Sequence, residues 1–164
     1  MAPPDLNGDA IGTTIFTRQY ADNQLVGLWA PAAASNGNVF VRWEVDGVRQ
    51  ANKEVNIFVS MTANHTARAI YAPLWTLTVQ STNPATGVAI TSNRVDWNGA
   101  SNGTTGFTRQ YLNGTSVTLT APATSPTGKA FVRWTLDSVD QAAGVTTVTV
   151  SMAAAHTAVA VYAP

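Results

Sequence analysis

Val117-Thr118-Leu119-Thr120-Ala121 alternates apolar and hydroxyl side chains, and Val148-Thr149-Val150-Ser151-Met152 does the same. Alternation with a period of two puts one set of side chains on each face of an extended chain, which is the pattern of a half-buried β-strand. Ala158-Val159-Ala160-Val161-Tyr162 is apolar on both faces and reads as a strand covered on two sides. Asn-Gly pairs at Asn7-Gly8, Asn36-Gly37, Asn98-Gly99, Asn102-Gly103 and Asn113-Gly114 mark turns, because both residues tolerate positive φ. No segment carries a helical apolar period, and Ala32-Ala33-Ala34 and Ala153-Ala154-Ala155 are too short to hold a helix. The fold class is therefore all-β without substantial helix, built from small β-sheet modules that are β-grasp-like or sandwich-like. Roughly five or six short strands are expected in a complete module.

Working outward from these strands, the sequence repeats itself. Phe16-Thr17-Arg18-Gln19-Tyr20 returns as Phe107-Thr108-Arg109-Gln110-Tyr111, and Phe40-Val41-Arg42-Trp43 as Phe131-Val132-Arg133-Trp134. Val59-Ser60-Met61 returns as Val150-Ser151-Met152, and Tyr71-Ala72-Pro73 as Tyr162-Ala163-Pro164. Every pair is offset by 91 residues, and roughly half of the aligned positions are identical. Two tandem modules follow, residues 1–73 and 74–164. The second is preceded by Trp75-Thr76-Leu77-Thr78-Val79 and Gly87-Val88-Ala89-Ile90-Thr91, which have no counterpart in the first. The first module is thus expected to lack its leading strand, and Trp75 is read as an anchor for the linker.

The core follows from the alternation. Val117, Leu119, Val148, Val150, Met152, Ala160 and Tyr162 are expected to face inward, with Val26, Leu28, Ile57, Val59, Met61, Ala69 and Tyr71 as their partners in the first module. Phe131 and Trp134, three residues apart, are expected on opposite faces of their strand, as are Phe40 and Trp43, with the Trp as the larger anchor.

Composition excludes several function classes. Charged residues make up only 11% of the chain, against about 25% in an ordinary globular protein. Nine basic and nine acidic residues cancel, and no Lys/Arg run supplies a nucleic-acid footprint. No apolar stretch approaches the roughly 20 residues of a membrane helix, so no membrane insertion is expected. There is no cysteine, hence neither disulfide nor thiolate chemistry. Met1-Ala2-Pro3-Pro4 reads as a linker remnant rather than a signal peptide.

The order Gly114-Thr115-Ser116-Val117-Thr118-Leu119-Thr120-Ala121, then Phe131-Val132-Arg133-Trp134, then Val148 to Met152, then Ala158 to Tyr162 resembles the divergent InlB B-repeat modules. The resemblance covers nearly all of the second module and the first after its shortened start. It implies a small β-rich module, found in tandem in large bacterial surface and secreted proteins, that acts as a spacer, adhesion or binding unit with no catalytic residues and no cofactor. Arg42 and Arg133 stand where the family's Phe-x-Gly-Trp pattern has glycine, which places a charge beside each Trp.

The residues themselves carry little chemistry. His65 and His156 are equivalent positions, one per module, and a duplicated residue is expected at a turn or strand edge rather than in a single active site. The repeated acids, Asp46 and Asp137, follow each Trp by three residues and are read as turn caps. Arg18 and Arg109 each lie between a Phe and a Tyr at period two, which suits aromatic stacking of the guanidinium or a salt bridge to Asp. Asp5, Asn7 and Asp9 have the alternating oxygens of a calcium loop but lack its bidentate Glu; an Asx-type turn is the competing reading. No catalytic set and no metal site is otherwise assigned.

The differences between the modules point elsewhere. Ser116, Thr120 and Thr149 of the second are replaced in the first by Leu25, Trp29 and Phe58, so the first should turn an apolar face outward where the second shows hydroxyls. Three uses compete: packing against the rest of the chain, contact with a neighbouring module or another chain, and stacking of Trp29 and Phe58 on sugar rings. Trp97, in a polar turn, is a further platform candidate. A module without its leading strand also offers an unpaired edge to a strand from elsewhere. The expected function is a non-catalytic extracellular structural or adhesive segment of a secreted or surface protein; the alternative is a carbohydrate-binding module attached to a secreted glycoside hydrolase, with polysaccharide as partner.

Overall fold

The computed structural model describes residues 4–164; the linker-like start Met1-Ala2-Pro3 lies outside them. The chain divides into two compact units, Met1–Ala72 and Pro73–Pro164. No helix is present among the described residues.

The first unit contains β1 (Leu25–Trp29), β2 (Val39–Val45), β3 (Val48–Asn52), β4 (Asn56–Ser60) and β5 (Ala67–Ala72). β1 and β4 form a two-stranded antiparallel sheet, and a second sheet runs in the order β3-β2-β5. Val26 lies opposite Val59 and Leu28 opposite Ile57 in the first sheet, so four apolar residues share its inner face. Leu28, Ile57 and Val59 meet Phe40 and Trp43 from the second sheet in one core.

The second unit contains β6 (Leu74–Thr82), β7 (Ala89–Ser92), β8 (Gly103–Thr104), β9 (Phe107–Leu112), β10 (Thr115–Thr120), β11 (Phe131–Leu136), β12 (Val139–Asp140), β13 (Thr147–Met152) and β14 (His156–Tyr162). Two sheets, β13-β10-β7-β8 and β12-β11-β14-β6-β9, contribute to one shared core, a sandwich arrangement. Nine strands stand where five or six were expected. The additional ones include the two-residue β8 and β12, too short to show alternation; each is held extended by the strand beside it rather than by its own pattern.

The two repeats fold with the same register. Val117 pairs with Val150 as Val26 does with Val59, and Trp134 with Ala160 as Trp43 does with Ala69. The hairpin after each Trp strand turns through two residues of positive φ, Asp46-Gly47 at 50° and 80° and Asp137-Ser138 at 49° and 68°. This is the conformation that lets a two-residue turn follow the strand twist.

All seven predicted core positions of the second unit are buried. In the first unit Val26, Ile57 and Val59 are buried, whereas Leu28, Met61, Ala69 and Tyr71 are only partly covered. Phe131 and Trp134 are not on opposite faces. The ladder slips between Phe131 and Arg133, an irregularity of the β-bulge kind, and the extra residue restores Phe131 to the Trp134 face. The two rings then meet edge to face at 6.2 Å, and Phe40 and Trp43 do the same at 6.0 Å through an equivalent slip. Trp75 is not a linker residue either: it sits in β6, packs against the core and donates its indole N–H to Asn113 Oδ1 at 3.1 Å.

Candidate functional site

The outer face of the β1–β4 sheet brings together three of the predicted residues. Leu25, Gly27 and Trp29 alternate onto it from β1, and Phe58 lies directly opposite Gly27. Leu25, Trp29 and Phe58 are 59%, 48% and 61% exposed. Trp29 and Phe58 meet edge to face with centroids 6.1 Å apart. Gly27 makes this possible: a Cβ there would lie 2.6 Å from the Trp29 ring, so the indole lies over bare backbone. The equivalent face of the second unit carries Ser116, Thr118, Thr120 and Thr149, with the Thr118 and Thr149 hydroxyls 3.0 Å apart. The same fold thus presents an apolar aromatic face in one unit and a ladder of hydroxyls in the other. Trp97 lies half-buried in a turn of the second unit, where its backbone N–H donates to Gln110 O.

The repeated polar residues are occupied by the fold. Nδ1 of His65 lies 2.6 Å from Asp46 Oδ2, and Nδ1 of His156 2.6 Å from Asp137 Oδ2. The other oxygen of each Asp accepts the backbone N–H of Thr66 or Thr157. The His65 bond, then the Thr66 N–H, holds the Asp46 carboxyl below its ordinary range; at Asp137 the Thr157 N–H comes first and the His156 bond second. Each pair ties the turn after the Trp strand to the start of the last strand. Nε2 of both rings is closed off from solvent and meets no hydrogen-bond partner, so neither ring offers a nitrogen to a substrate.

The Asp5 carboxylate is likewise spent on its own loop. Its Oδ1 accepts the backbone N–H of Asn7 and of Asp9, both at 2.8 Å, and Asp96 does the same for Asn98 and Ala100. Burial opposes its charge, yet those N–H groups, with Arg18 nearby, hold the Asp5 carboxyl below its ordinary value. The loop keeps one shape whether Asp9 or Ala100 occupies its last position, which is the behaviour of an Asx-type turn. Among the described residues no group of three His, Cys, Asp or Glu stands together as metal ligands. Arg18 lies over Phe16 at 4.9 Å and Arg109 over Phe107 at 4.5 Å. The charge beside each Trp strand is paired, Arg42 with Glu44 at 2.7 Å and Arg133 with Asp140 at 2.9 Å.

One feature of the first unit was not foreseen as a site. An open groove of about 700 Å³ runs over Leu28, Ala30, Trp43, Ala69 and Tyr71, bordered by the segment from Ala10 to Phe16. Ile11 and Ile15 in that border are almost wholly exposed. The available signal was Ile11 and Ile15 standing where the second repeat has Asn102 and Gly106, apolar residues in an otherwise polar turn.

No curated protein and no solved structure matches the chain. The matched family is one of repeats, and the span it covers is the stretch that recurs in this chain, starting after β7 and running to the last residue. Residues 93–164, with their Asp–His pair, bulged Phe–Trp strand and two facing sheets, match the divergent InlB B-repeat domain.

Proposed function

We propose that this chain is a non-catalytic structural or adhesive segment of a larger bacterial protein, displayed at the cell surface or secreted, in which two β-repeats stand in tandem. One observation carries this reading: the repeated Asp, His and Arg side chains are engaged in holding the fold. His65 and His156 bind Asp46 and Asp137, and Arg18 and Arg109 stack on phenylalanine. The family match over residues 93–164 supports a β-repeat module of extracellular type. Low charge and hydroxyl-rich strand faces fit a surface solvated by Thr, Ser and Asn in place of Lys and Glu.

A second reading has an observation in its favour. Trp29 lies against Gly27 with about half its surface open, an aromatic surface of the kind that stacks on a sugar. A panel of soluble and insoluble polysaccharides, read by pull-down and tryptophan emission, separates the two. The structural reading expects no retention and no emission change across the panel. Retention that disappears in Trp29→Ala, with thermal stability unchanged, would replace it with the carbohydrate-binding reading.

A further inference from the structure

The groove of the first unit has an exact structural answer in the second unit, if each lining residue is followed to its repeat partner. Leu28, Ala30, Trp43, Ala69 and Tyr71 line the groove. Their partners Leu119, Ala121, Trp134, Ala160 and Tyr162 are all buried, at 3% exposure or less. What buries them there includes Leu77 and Val79 of β6 and Val88 and Ile90 at β7, members of the same core. β6 runs parallel to β14 along its outer edge, and β7 pairs with the end of β10 at Leu119 and Thr120. In the first unit no strand among the described residues pairs with the outer edge of β5, and none pairs with the free edge of β1.

A second difference points the same way. Phe107-Thr108-Arg109-Gln110-Tyr111 forms β9, because β6 supplies its ladder from Leu74 opposite Leu112 to Val79 opposite Phe107. The identical Phe16-Thr17-Arg18-Gln19-Tyr20 is not a strand. It has the sequence of a strand and, among the described residues, no strand beside it.

The geometry points to the first unit as a strand acceptor, whose groove takes an extended segment with the chemistry of Leu74–Ser92 from a further repeat. The segment has two limbs. The first presents apolar side chains at alternate positions, as Leu77 and Val79 do, and runs parallel to β5 and antiparallel to Phe16–Tyr20. The second presents a pair such as Val88 and Ile90 to the groove and lies along Leu28 and Trp29. The register is set by the other unit: the place of Val79 falls opposite Phe16 on one side and Ala67 on the other, as Val79 faces Phe107 and Ala158. Main-chain bonds to two open edges supply affinity and the alternate apolar side chains supply selectivity. A second copy of this chain is not the donor, because its own Leu74–Ser92 already buries Leu77, Val79, Val88 and Ile90 to 1% exposure or less. The segment lies outside the span that matches the family, and in the second unit it is these preceding residues that pair with that span.

The test adds a synthetic peptide of the Leu74–Ser92 sequence to the full chain and follows amide hydrogen exchange residue by residue. The peptide should slow exchange about tenfold or more at Ala67–Ala72 and at Phe16–Tyr20, the segments that gain a ladder, while β14 stays unchanged. A peptide of the same length carrying Leu77→Asp and Ile90→Asp should give no slowing, since it keeps the backbone and loses the apolar anchors. Three results overturn the proposal. No slowing at saturating peptide removes the acceptor. Equal slowing with the Asp-bearing peptide removes the groove as its basis. Protection of the same amides without peptide, growing with protein concentration, assigns the groove to a second copy instead.

Discussion

Replacing Trp134 with Ala tests how the sandwich is held. The indole is wholly buried, sits between the two sheets of the second unit, and donates its N–H to Thr146 O at 2.8 Å. Truncating a core aromatic costs about 3–5 kcal/mol through lost burial and the cavity left behind. The lost indole bond acts in the same direction, but the Thr146 carbonyl keeps the Ala121 N–H as a donor at 2.9 Å, so the middle of that range is expected. A unit of the size of Pro73–Pro164 has about 5–14 kcal/mol of total stability, so the substitution removes a large share of it. At about 4–8 °C per kcal/mol for a domain of this size, the midpoint of its thermal transition should fall by about 15–30 °C. Calorimetry gives the midpoint, and near-ultraviolet circular dichroism shows whether the remaining rings stay fixed. Trp134→Phe separates the two causes: it keeps most of the volume, loses the N–H bond and should cost about 1–3 kcal/mol. Trp43→Ala should cost less than Trp134→Ala, near about 2–3 kcal/mol, because Trp43 borders the open groove and its site can collapse or hydrate. A fall of less than about 5 °C for Trp134→Ala would refute the reasoning, since about 1 kcal/mol is the scale of a surface change.

The Asp–His pairs should make both units acid-sensitive. Asp46 and Asp137 sit below their ordinary value of 3.8, so the folded form binds fewer protons than the unfolded form; the stabilisation is complete above that value and is lost as pH falls through the lowered folded values. Asp46→Asn with Asp137→Asn should therefore flatten the acid limb of a stability-against-pH curve measured by urea unfolding, and an unchanged limb would assign it elsewhere. Ser138 holds φ at 68° where the first repeat has Gly47, so Ser138→Gly should raise stability by about 0.5–1 kcal/mol and Gly47→Ser should lower it by a like amount, both read from thermal midpoints. Gly27→Thr, which installs the residue of the second repeat, pushes a Cβ into the Trp29 ring; tryptophan emission should shift to the red as the indole lifts into water, with less than about 1 kcal/mol lost.

What could be read in advance was whatever obeys a local period. Val117, Leu119, Val148, Val150 and Met152 alternate with hydroxyl residues, and every one is buried. The aromatic face was legible for a different reason: the repeat supplies its own control, and Leu25, Trp29 and Phe58 stand against Ser116, Thr120 and Thr149 in otherwise matching strands. The placement of Phe131 was illegible, because alternation assumes an unbroken ladder and a single slip at Val132 reverses the face. β8 and β12 were illegible because a strand of two residues has too little pattern of its own; the partner supplies the bonds.

The pentapeptide Phe-Thr-Arg-Gln-Tyr makes that last point without any difference in sequence to confuse it. At Phe107–Tyr111 it is a strand, with Tyr111 buried; at Phe16–Tyr20 it is not, and Phe16 is 43% exposed. Its local contacts survive in both places: each arginine lies over its phenylalanine, and the backbone carbonyls of Gln19 and Gln110 accept N–H groups from Leu6 and Trp97. The side chains of the pentapeptide and the preceding Asx turn are therefore not what decides between strand and coil. The deciding term is the ladder with β6, together with the burial of Leu77 and Val79 that comes with it. An extended segment left without a partner keeps its backbone N–H and C=O groups in water and gains no apolar burial to offset the entropy of staying extended. The first unit holds the sequence of a strand, an exposed phenylalanine and an uncovered groove in one place because these are three aspects of the same missing pairing.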